Sequence, residues 1–452
     1  MGTRYRDYNP EQPYLLPPSP RDWLAEDHLV YFISDTLDEL DLSGLHERYQ
    51  GDGRRNQPYH PAMLLKVLVY AYATGVFSSR KIARKLDEDV AFRVLAAGNR
   101  PDFRTINRFR GEHLELFSKL FVEVVKLAKR MGLLKLGTVA LDGTKVKANA
   151  SKHKAMSYQR MLEDEQRLEA EIAELVRRAE AIDQVEDELY GPDSTGDEIP
   201  DELRRREQRL KKIREAKAAL EAEQAERDRA AGRAPDDQRM ASGKRPQGGR
   251  SKYSRDCGEP KPKAQRNFTD PASKIMKSSK GFEQSYNAQA AVEAGEQLIV
   301  AATLGSNPAD NGYLEELLDR IKNNTGRKPG RVLADAGYKG EKNLAELERR
   351  KIRGYVALGR ESQQGGEAKG QKKTDGPATA RMRKRLKDRR GRKRYRRRKA
   401  LVEPAFGWVK RVLGFREFSL RGLDKAQAEW QLLTLALNLR RMAAFKSSPA
   451  TA

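Results

Sequence analysis

Residues 136–147, LGTVALDGTKVK, are the stretch that decides the fold class. An apolar run with β-branched residues that ends in a glycine is typical of a buried strand. Asp142 interrupts this run, although a strand buried on both faces has no ordinary use for a carboxylate. An unpaired buried acid costs on the order of several kcal/mol. We therefore expect Asp142 to meet a cation, a hydrogen-bond network or the exposed end of its strand.

Two further acids stand in comparable positions. Asp335 ends a second apolar strand just before Ala336-Gly337, and Glu403 opens a predicted helix directly after a basic block. Ligands collect at the carboxyl ends of strands in α/β sheets. Two strand acids and a helix acid beside a basic block suit two divalent cations held against a phosphate backbone. For each acid taken alone, a carboxylate that caps a following turn is the alternative, most clearly for Asp335.

The composition favours a polyanionic partner. The 452 residues carry 89 Lys+Arg against 65 Asp+Glu, a formal net charge of +24, which favours nucleic acid before a membrane surface. No stretch approaches the roughly 20 apolar residues of a membrane span, and the N-terminus lacks the apolar run of a signal peptide. The single cysteine, Cys257, excludes an intrachain disulfide. Because the histidines lie far apart in sequence, carboxylates are the expected ligands of any metal.

The N-terminal part is predicted to be helical. Residues 1–22 are rich in proline and are predicted to form an extended arm, whereas residues 23–135 have a periodicity near 3.6. The segment 101–110 predicts a helix that would be the recognition helix of a helix-turn-helix. An ordinary helical bundle with solvated arginines is the alternative. The candidate DNA contacts on this helix are Arg104, Asn107, Arg108 and Arg110.

The rest of the chain alternates between strand and helix patterns. Residues 136–155 and 266–445 are predicted to form one domain, interrupted by residues 156–232, in which Leu and Ile at heptad spacing predict an antiparallel coiled-coil hairpin. Residues 233–265 are predicted to be a disordered basic linker. The predicted strands after the linker are 283–293, 297–304, 331–338 and 354–358, and the predicted helices are 311–321, 341–349, 402–413 and 424–442.

A basic block precedes the Glu403 helix. Residues 381–399 hold 14 Lys+Arg among 19 positions. The block leads straight into that helix, which predicts a clamp on the DNA backbone; a solvated tail is the alternative. Phosphate contacts of this kind dominate affinity without reading sequence.

Several of these segments resemble the DDE transposases of bacterial insertion sequences. Residues 141–145 resemble the first acidic motif of that family, residues 334–338 look like the second, and residues 395–410 look like the third. The segment 269–289 is similar to the family's second-strand region, and the block 49–110 is similar to its N-terminal domain. The coiled-coil hairpin resembles an insertion that one branch of the family carries.

The resemblance implies a mixed α+β/α/β fold. Its parts would be a helical N-terminal DNA-binding domain, an RNase H-like catalytic domain with a central mixed sheet, and a long coiled-coil hairpin insertion. It also implies a transposase that binds terminal inverted repeats, cleaves DNA at the element ends in a metal-dependent reaction and transfers the strand to target DNA.

The resemblance also assigns roles to residues. The catalytic and metal-binding residues would be Asp142, Asp335 and Glu403, with Mg²⁺ as the cofactor and Mn²⁺ as its substitute. The DNA contacts near them would be Tyr395, Arg398 and Lys410.

The expected partners are double-stranded DNA, at the element ends and at the target, and a second copy of the chain when assembled on DNA, with no membrane. The expected location is the bacterial cytoplasm, at the nucleoid. Three alternatives remain at this point. A stand-alone metal-dependent nuclease and a catalytically inactive DNA-binding derivative would both retain the fold. A coiled-coil architectural protein would leave the strand acids unexplained.

Overall fold

A computed structural model describes residues 19–46, 58–190, 201–233, 255–278, 281–359 and 376–446. Most of the predicted N-terminal arm and most of the predicted basic linker lie outside these residues. The described end of the arm is a short 3₁₀ helix, Pro20–Trp23, which the Ser19 side chain caps. The described end of the linker, residues 255–264, passes through turns into a strand.

The N-terminal part is helical. Its described helices are α1 (Leu29–Asp38), α2 (Ser43–His46), α3 (Pro61–Ala73), α4 (Ser79–Glu88), α5 (Val90–Ala96), α6 (Phe103–Glu112) and α7 (Leu114–Arg130). The side chains of Asp89 and Asp102 accept hydrogen bonds from backbone N–H groups and so fix where α5 and α6 begin. Helix α3 is buried along nearly its whole length, as its apolar sequence predicts.

A mixed sheet forms the centre of the second part. The strands of the described chain are β1 (Thr138–Lys147), β2 (Ala155–Ser157), β3 (Gln265–Asn267), β4 (Lys274–Ser278), β5 (Gly281–Glu293), β6 (Ile299–Gly305), β7 (Arg331–Ala334) and β8 (Arg353–Val356). Strand β5 pairs antiparallel with β1 on one edge, and with β4 and then β6 on the other. Strand β7 lies parallel to β1, and β8 lies parallel to β7. This mixed arrangement is consistent with the RNase H-like domain that the resemblance implies.

A helical hairpin leaves the fold between β1 and β5. Its two helices, α8 (Tyr158–Tyr190) and α9 (Asp201–Ala230), stand on the short β2–β3 pair. Glu165 near the start of α8 pairs with Arg214, while Glu171 further along pairs with Arg206, so the helices run antiparallel. The hairpin has an apolar cluster of its own, apart from the main core. Among the described helices, none combines the length and the apolar character needed to cross a membrane.

The helices that follow pack around the sheet. They are α10 (Leu314–Thr325), α11 (Glu341–Arg349), α12 (Pro377–Lys387), α13 (Arg389–Gly407) and α14 (Leu423–Lys446). The predicted start of a helix at residue 402 is wrong, because the Asp388 side chain caps a helix that already begins at Arg389. The basic block is therefore helical, and α13 continues into a π-helical turn, Trp408–Val412.

Helix α14 joins the two parts of the molecule. It packs on β6 of the sheet and on α1, α3 and α7 of the N-terminal part. Trp430, fully buried, donates a hydrogen bond from Nε1 to the backbone oxygen of Gln289 at 3.1 Å. One hydrophobic core consequently extends from Val30 to Met442, and the predicted boundary at residue 135 does not divide it into two.

Candidate active site

Two acids meet where β1 and β7 run side by side. Leu141 of β1 lies opposite Ala334 of β7 in a parallel pair, so the residues that follow, Asp142 and Asp335, are neighbours at the same end of the sheet. Asp142 is still within its strand, opposite Ala290 of β5. The structure therefore brings together the two strand acids that the sequence singles out.

Asp335 also caps a turn. Its Oδ1 atom accepts a hydrogen bond from the backbone N–H of Gly337 at 2.8 Å, at the start of the 3₁₀ helix Ala336–Tyr338. This is the capping role that the sequence offered as the alternative to ligand binding. The two roles are compatible, because a carboxylate that accepts one bond through one oxygen keeps further lone pairs.

Arg398 of α13 reaches Asp142 across the sheet edge. Its Nη1 atom donates to Asp142 Oδ2 at 3.0 Å, and only 12% of the arginine side chain is exposed. Burial raises the pKa of Asp142 to about 6; the positive charge of Arg398 opposes this rise, and the negative charge of Asp335 adds to it. Burial works against the charge on Arg398, but Asp142 and Asp335 hold its pKa above the usual value.

Glu403 lies on the same helix and is exposed. It follows Arg398 by five residues, which on an α-helix places the two side chains about 140° apart. Within the described part of the chain, no three carboxylate, histidine or cysteine side chains are grouped closely enough to hold a metal ion. The described geometry thus pairs Asp142 with Asp335 and leaves Glu403 outside that pair.

Tyr395 and Lys410 lie on either side of Glu403 in the sequence. Tyr395 is half-buried and packs against the main core. Lys410 donates from Nζ to the backbone oxygen of Lys145 on β1 at 2.9 Å. Burial, and then the charge of Lys145, lower the pKa of Lys410. Lys410 belongs to the π-helical turn, so it does not follow Glu403 at regular α-helical spacing.

The sequence did not single out a third acid beside these residues. Asp310 Oδ1 accepts hydrogen bonds from Lys145 Nζ at 3.2 Å, Asn287 Nδ2 at 2.7 Å and Gln289 Nε2 at 2.8 Å. Burial raises the pKa of Tyr338 well above its usual value, and the charges of Asp310, Asp142 and Asp335 add to this rise. The available signal was a row of polar residues on a strand that is buried along most of its length, among them Asn287 and Gln289 two positions apart.

The four candidate DNA contacts of α6 divide into two groups. Arg104, Asn107 and Arg108 are exposed, whereas Arg110 is only 2% exposed. The guanidinium of Arg110 donates to the hydroxyl of Tyr72 at 3.0 Å, to the backbone oxygen of Phe77 at 2.8 Å and to Oδ1 of Asn107 at 2.8 Å. The predicted DNA contact by Arg110 does not agree with this placement, because its donors face the interior.

The basic block forms two exposed helical faces. Helices α12 and α13 pack against each other and against β8 through a few buried residues. Their exposed cations include Lys384, Lys387, Arg389, Arg390, Arg392, Lys393, Arg396, Arg397 and Lys399. The block is thus a fixed surface beside Asp142 and not a solvated tail, since Arg398 belongs to the same helix.

Two family models match the chain. The model described as "Transposase DDE domain" matches residues 254–439, and "Transposase domain (DUF772)" matches residues 18–112. The first match includes Asp335 and Glu403, while Asp142 lies between the two matched ranges. Neither a curated protein nor a solved structure matches the chain. The two transposase models, in the order that the motifs predict, confirm the resemblance: the chain belongs to the DDE transposases of insertion sequences.

Proposed function

We propose that the chain binds the terminal inverted repeats of an insertion sequence, cleaves DNA at the element ends and joins the 3′ hydroxyl to target DNA. One observation carries the proposal: Asp142 and Asp335 lie side by side at one end of the sheet, with Arg398 of a strongly basic helix against them. Carboxylates in this arrangement are suited to divalent cations beside a phosphate backbone.

The two aspartates also suit a metal on electrostatic grounds. DDE transposases generally use a divalent cation. Burial and the charge of Asp335 both disfavour ionised Asp142, and a bound cation would relieve both effects. Asp142 and Asp335 would hold Mg²⁺, or Mn²⁺ in its place, and Glu403 would complete the donor set from α13. The bound cations would supply Lewis-acid chemistry at this site, for the attacking hydroxyl and for the leaving oxygen.

The residues around the aspartates would hold the DNA. Arg398 neutralises Asp142 in the free protein and would share its charge with a phosphate when DNA enters. Tyr395 and Lys410 would contact the backbone close to the scissile bond, and the exposed cations of α12 and α13 would extend this contact. These interactions position the DNA and carry no sequence information.

Sequence recognition is proposed for α6. Arg104, Asn107 and Arg108 are exposed on this helix and offer the donors and acceptors that read base edges. Arg110 is left out of this set because it is buried. We also propose that two copies of the chain assemble on paired element ends and that the helical hairpin lies between the copies. The hairpin would then be the coiled-coil insertion that one branch of the family carries. An enzyme of this kind would work in the cytoplasm, at the nucleoid.

The test compares the wild type with Asp142→Ala, Asp335→Ala and Glu403→Ala, and with the exposed-acid control Asp27→Ala. Each protein is incubated with labelled DNA that carries the flanking element ends and with a supercoiled target plasmid, in Mg²⁺, Mn²⁺ or EDTA. We expect metal-dependent cleavage and joining by the wild type and the control, and loss of both in the three variants while DNA binding persists.

Other outcomes would change the assignment. Cleavage without joining would indicate a nuclease. Full activity of any one of the three variants would remove that residue from the donor set. The test is most critical for Glu403, because this residue lies apart from the two aspartates. DNA binding without any cleavage by the wild type would indicate an inactive derivative.

A further inference from the structure

We infer that Asp310 is a positioning residue of the catalytic centre, which fixes the spacing of Asp142 and Asp335 through a hydrogen bond to the strand of Asp142 and, by way of Gln289 and Tyr338, a connection to the turn of Asp335. This inference rests on the function proposed above. Asp310 begins the 3₁₀ helix Asp310–Tyr313 after β6 and contributes no strand of its own. Its side chain is 22% exposed, so it lies at the inner wall of the site and not in the solvent.

One oxygen of Asp310 gathers donors from two strands. Lys145 belongs to β1, three residues after Asp142, while Asn287 and Gln289 belong to β5. In the antiparallel pair of these strands, Lys145 lies opposite Asn287 and Gly143 lies opposite Gln289. Oδ1 of Asp310 therefore bridges β1 and β5 next to Asp142, on the face of the two strands that carries Gly143, Lys145, Asn287 and Gln289.

Gln289 connects Asp310 to the turn that follows Asp335. Its Nε2 atom donates to Asp310, and its Oε1 atom accepts a hydrogen bond from the hydroxyl of Tyr338. Tyr338 ends the short 3₁₀ helix that Asp335 caps. Gln289 and Tyr338 are fully buried, so no water competes for these bonds, and their geometry is imposed by the protein alone. We call Lys145, Asn287, Gln289, Asp310 and Tyr338 the Asp310 network.

Two glycines make room for the Asp310 carboxylate. A Cβ atom at Gly143 would lie 2.8 Å from Asp310 Oδ1, and a Cβ atom at Gly337 would lie 2.7 Å from Asp310 Oδ2 and 2.9 Å from Asp335 Oδ1. Each glycine is within two residues of one of the catalytic aspartates. A side chain at Gly143 would meet Gln289 as well as Asp310, and one at Gly337 would meet Asp335 as well as Asp310. The close packing of these side chains therefore favours glycine after each acid.

The consequence for catalysis is geometric. Two carboxylates that share cations must keep their separation to a fraction of an ångström, and a misplacement of about 1 Å can cost about 10²-fold in rate. Asp142 and Asp335 sit on different elements, one within a strand and one in a turn after a strand. The Asp310 network is a side-chain connection between these two elements.

The test uses Asp310→Ala, the isosteric Asp310→Asn, and Asn311→Ala as the matched control, since Asn311 is the exposed neighbour on the same 3₁₀ helix. Single-turnover cleavage is measured at saturating DNA, together with DNA affinity and thermal melting. We expect Asp310→Ala to cleave about 10²-fold more slowly with unchanged DNA affinity and melting. Asp310→Asn keeps an acceptor for the three donors, so its cleavage rate should lie within about tenfold of the wild-type rate. The control Asn311→Ala should cleave at the wild-type rate.

Hydrogen exchange gives a second readout that needs no activity. Loss of the Asp310 bonds should speed exchange at residues 336–338 about fivefold or more in Asp310→Ala, with little change in Asp310→Asn or the control. If Asp310→Ala melts early, a second variant is Gln289→Met, which keeps Asp310 and removes its link to Tyr338 together with the bond from Gln289 Nε2 to Asn287 Oδ1. It should show the same slower cleavage and faster exchange.

Three results would overturn the inference. The first is cleavage by Asp310→Ala at the wild-type rate, and the second is unchanged hydrogen exchange at residues 336–338 in that variant. The third is a cleavage defect in Asp310→Asn as large as that in Asp310→Ala, which would mean that the negative charge matters and not the hydrogen bonds. If the wild-type protein itself cleaves nothing, the proposed function fails, while the exchange comparison still decides whether Asp310 positions the turn.

Discussion

Asp142 is both buried and acidic, a combination that lowers the stability of a folded protein. Its carboxylate is largely buried, which disfavours its charge, and its one charged hydrogen-bond partner in the described structure is Arg398 at 3.0 Å. The charge of Asp335 adds to the cost. An ordinary core position would hold an apolar side chain here, as the neighbouring Leu141 does. The ionised form is therefore retained at the expense of stability, which can be measured.

The first prediction concerns Asp142→Asn at different pH values. The folded protein raises the pKa of Asp142 from 3.8 to about 6, so the folded state binds this proton more tightly than the unfolded state. The ionised carboxylate then costs about 3 kcal/mol above pH 6, and the cost fades as the pH falls towards 3.8. Without divalent cations, we expect Asp142→Asn to raise the free energy of unfolding by about 1–3 kcal/mol at pH 7.5.

Denaturant unfolding at pH 7.5, 5.5 and 4 measures this effect. The advantage of Asp142→Asn should shrink at pH 5.5 and be nearly gone at pH 4. Asp27→Asn, which changes an exposed acid, should show no such dependence. Equal stability of Asp142→Asn and the wild type at pH 7.5 would contradict the assigned burial cost.

At the scale of single elements, α6 carries an exposed face and a buried anchor. Arg110 lies within 3.9 Å of Glu429 of α14, both nearly inaccessible, and the hydroxyl of Tyr72 donates to Glu429 at 2.6 Å. Glu429 also accepts bonds from the backbone N–H groups of Ser419 and Leu420. This buried group connects the proposed recognition helix to the helix that covers the sheet.

The second prediction compares Arg110→Met with Arg108→Met on α6. Removing Arg110 leaves the buried Glu429 without its cation, which should lower the free energy of unfolding by about 3–5 kcal/mol. Removing the exposed Arg108 should change stability by no more than about 0.5 kcal/mol, but it should weaken binding to element ends. Urea unfolding and binding to specific and random DNA separate the two effects. A stable Arg110→Met protein with weak DNA binding would reverse both assignments.

The third prediction concerns the helical hairpin. Residues 172–209 are replaced by a short Gly/Ser linker, while β2, β3, Tyr158 and Leu220 remain as its base. Because the hairpin has its own apolar cluster, we expect the melting temperature of the main core to stay within a few degrees of the wild type. Assembly of two element ends, measured by gel shift, should be lost while binding to one end persists. A collapse of the main melting transition would show that the hairpin supports the core.

Periodicity and apolar runs predicted the strands and helices of the sheet region well. The predicted strand 283–293 agrees with β5, and the predicted helix 341–349 agrees with α11, since local patterns suffice for such elements. The start of α13 was missed because the basic block offers no apolar stripe, although its arginines and lysines favour helix. The sequence predicted a DNA contact for Arg110 and no role for Asp310, because their actual partners, such as Glu429 and Asn287, lie elsewhere in the sequence.

At the scale of the whole molecule, the charge of +24 is concentrated near the site by α12 and α13. The fourth prediction follows from this concentration. A clamp of 6–10 phosphate contacts should lose about 10³–10⁵-fold in affinity between 50 and 200 mM salt. Fluorescence anisotropy with random duplex DNA measures how steeply the affinity falls with salt concentration. Replacing Arg396 and Arg397 by alanine should reduce this slope by the equivalent of about two phosphate contacts. An affinity that is flat over this range would exclude the clamp.

The position of α14 also bears on how the protein is made. The ribosome completes this helix after every other described element, yet α1, α3 and α7 need it to bury their apolar faces. A nascent chain that stops before residue 423 would therefore leave both the N-terminal helices and the sheet with uncovered apolar surface. If the proposed function holds, premature termination would yield unstable chains and not stable fragments that occupy the element ends, so every stable end-binding chain would also carry the proposed active site.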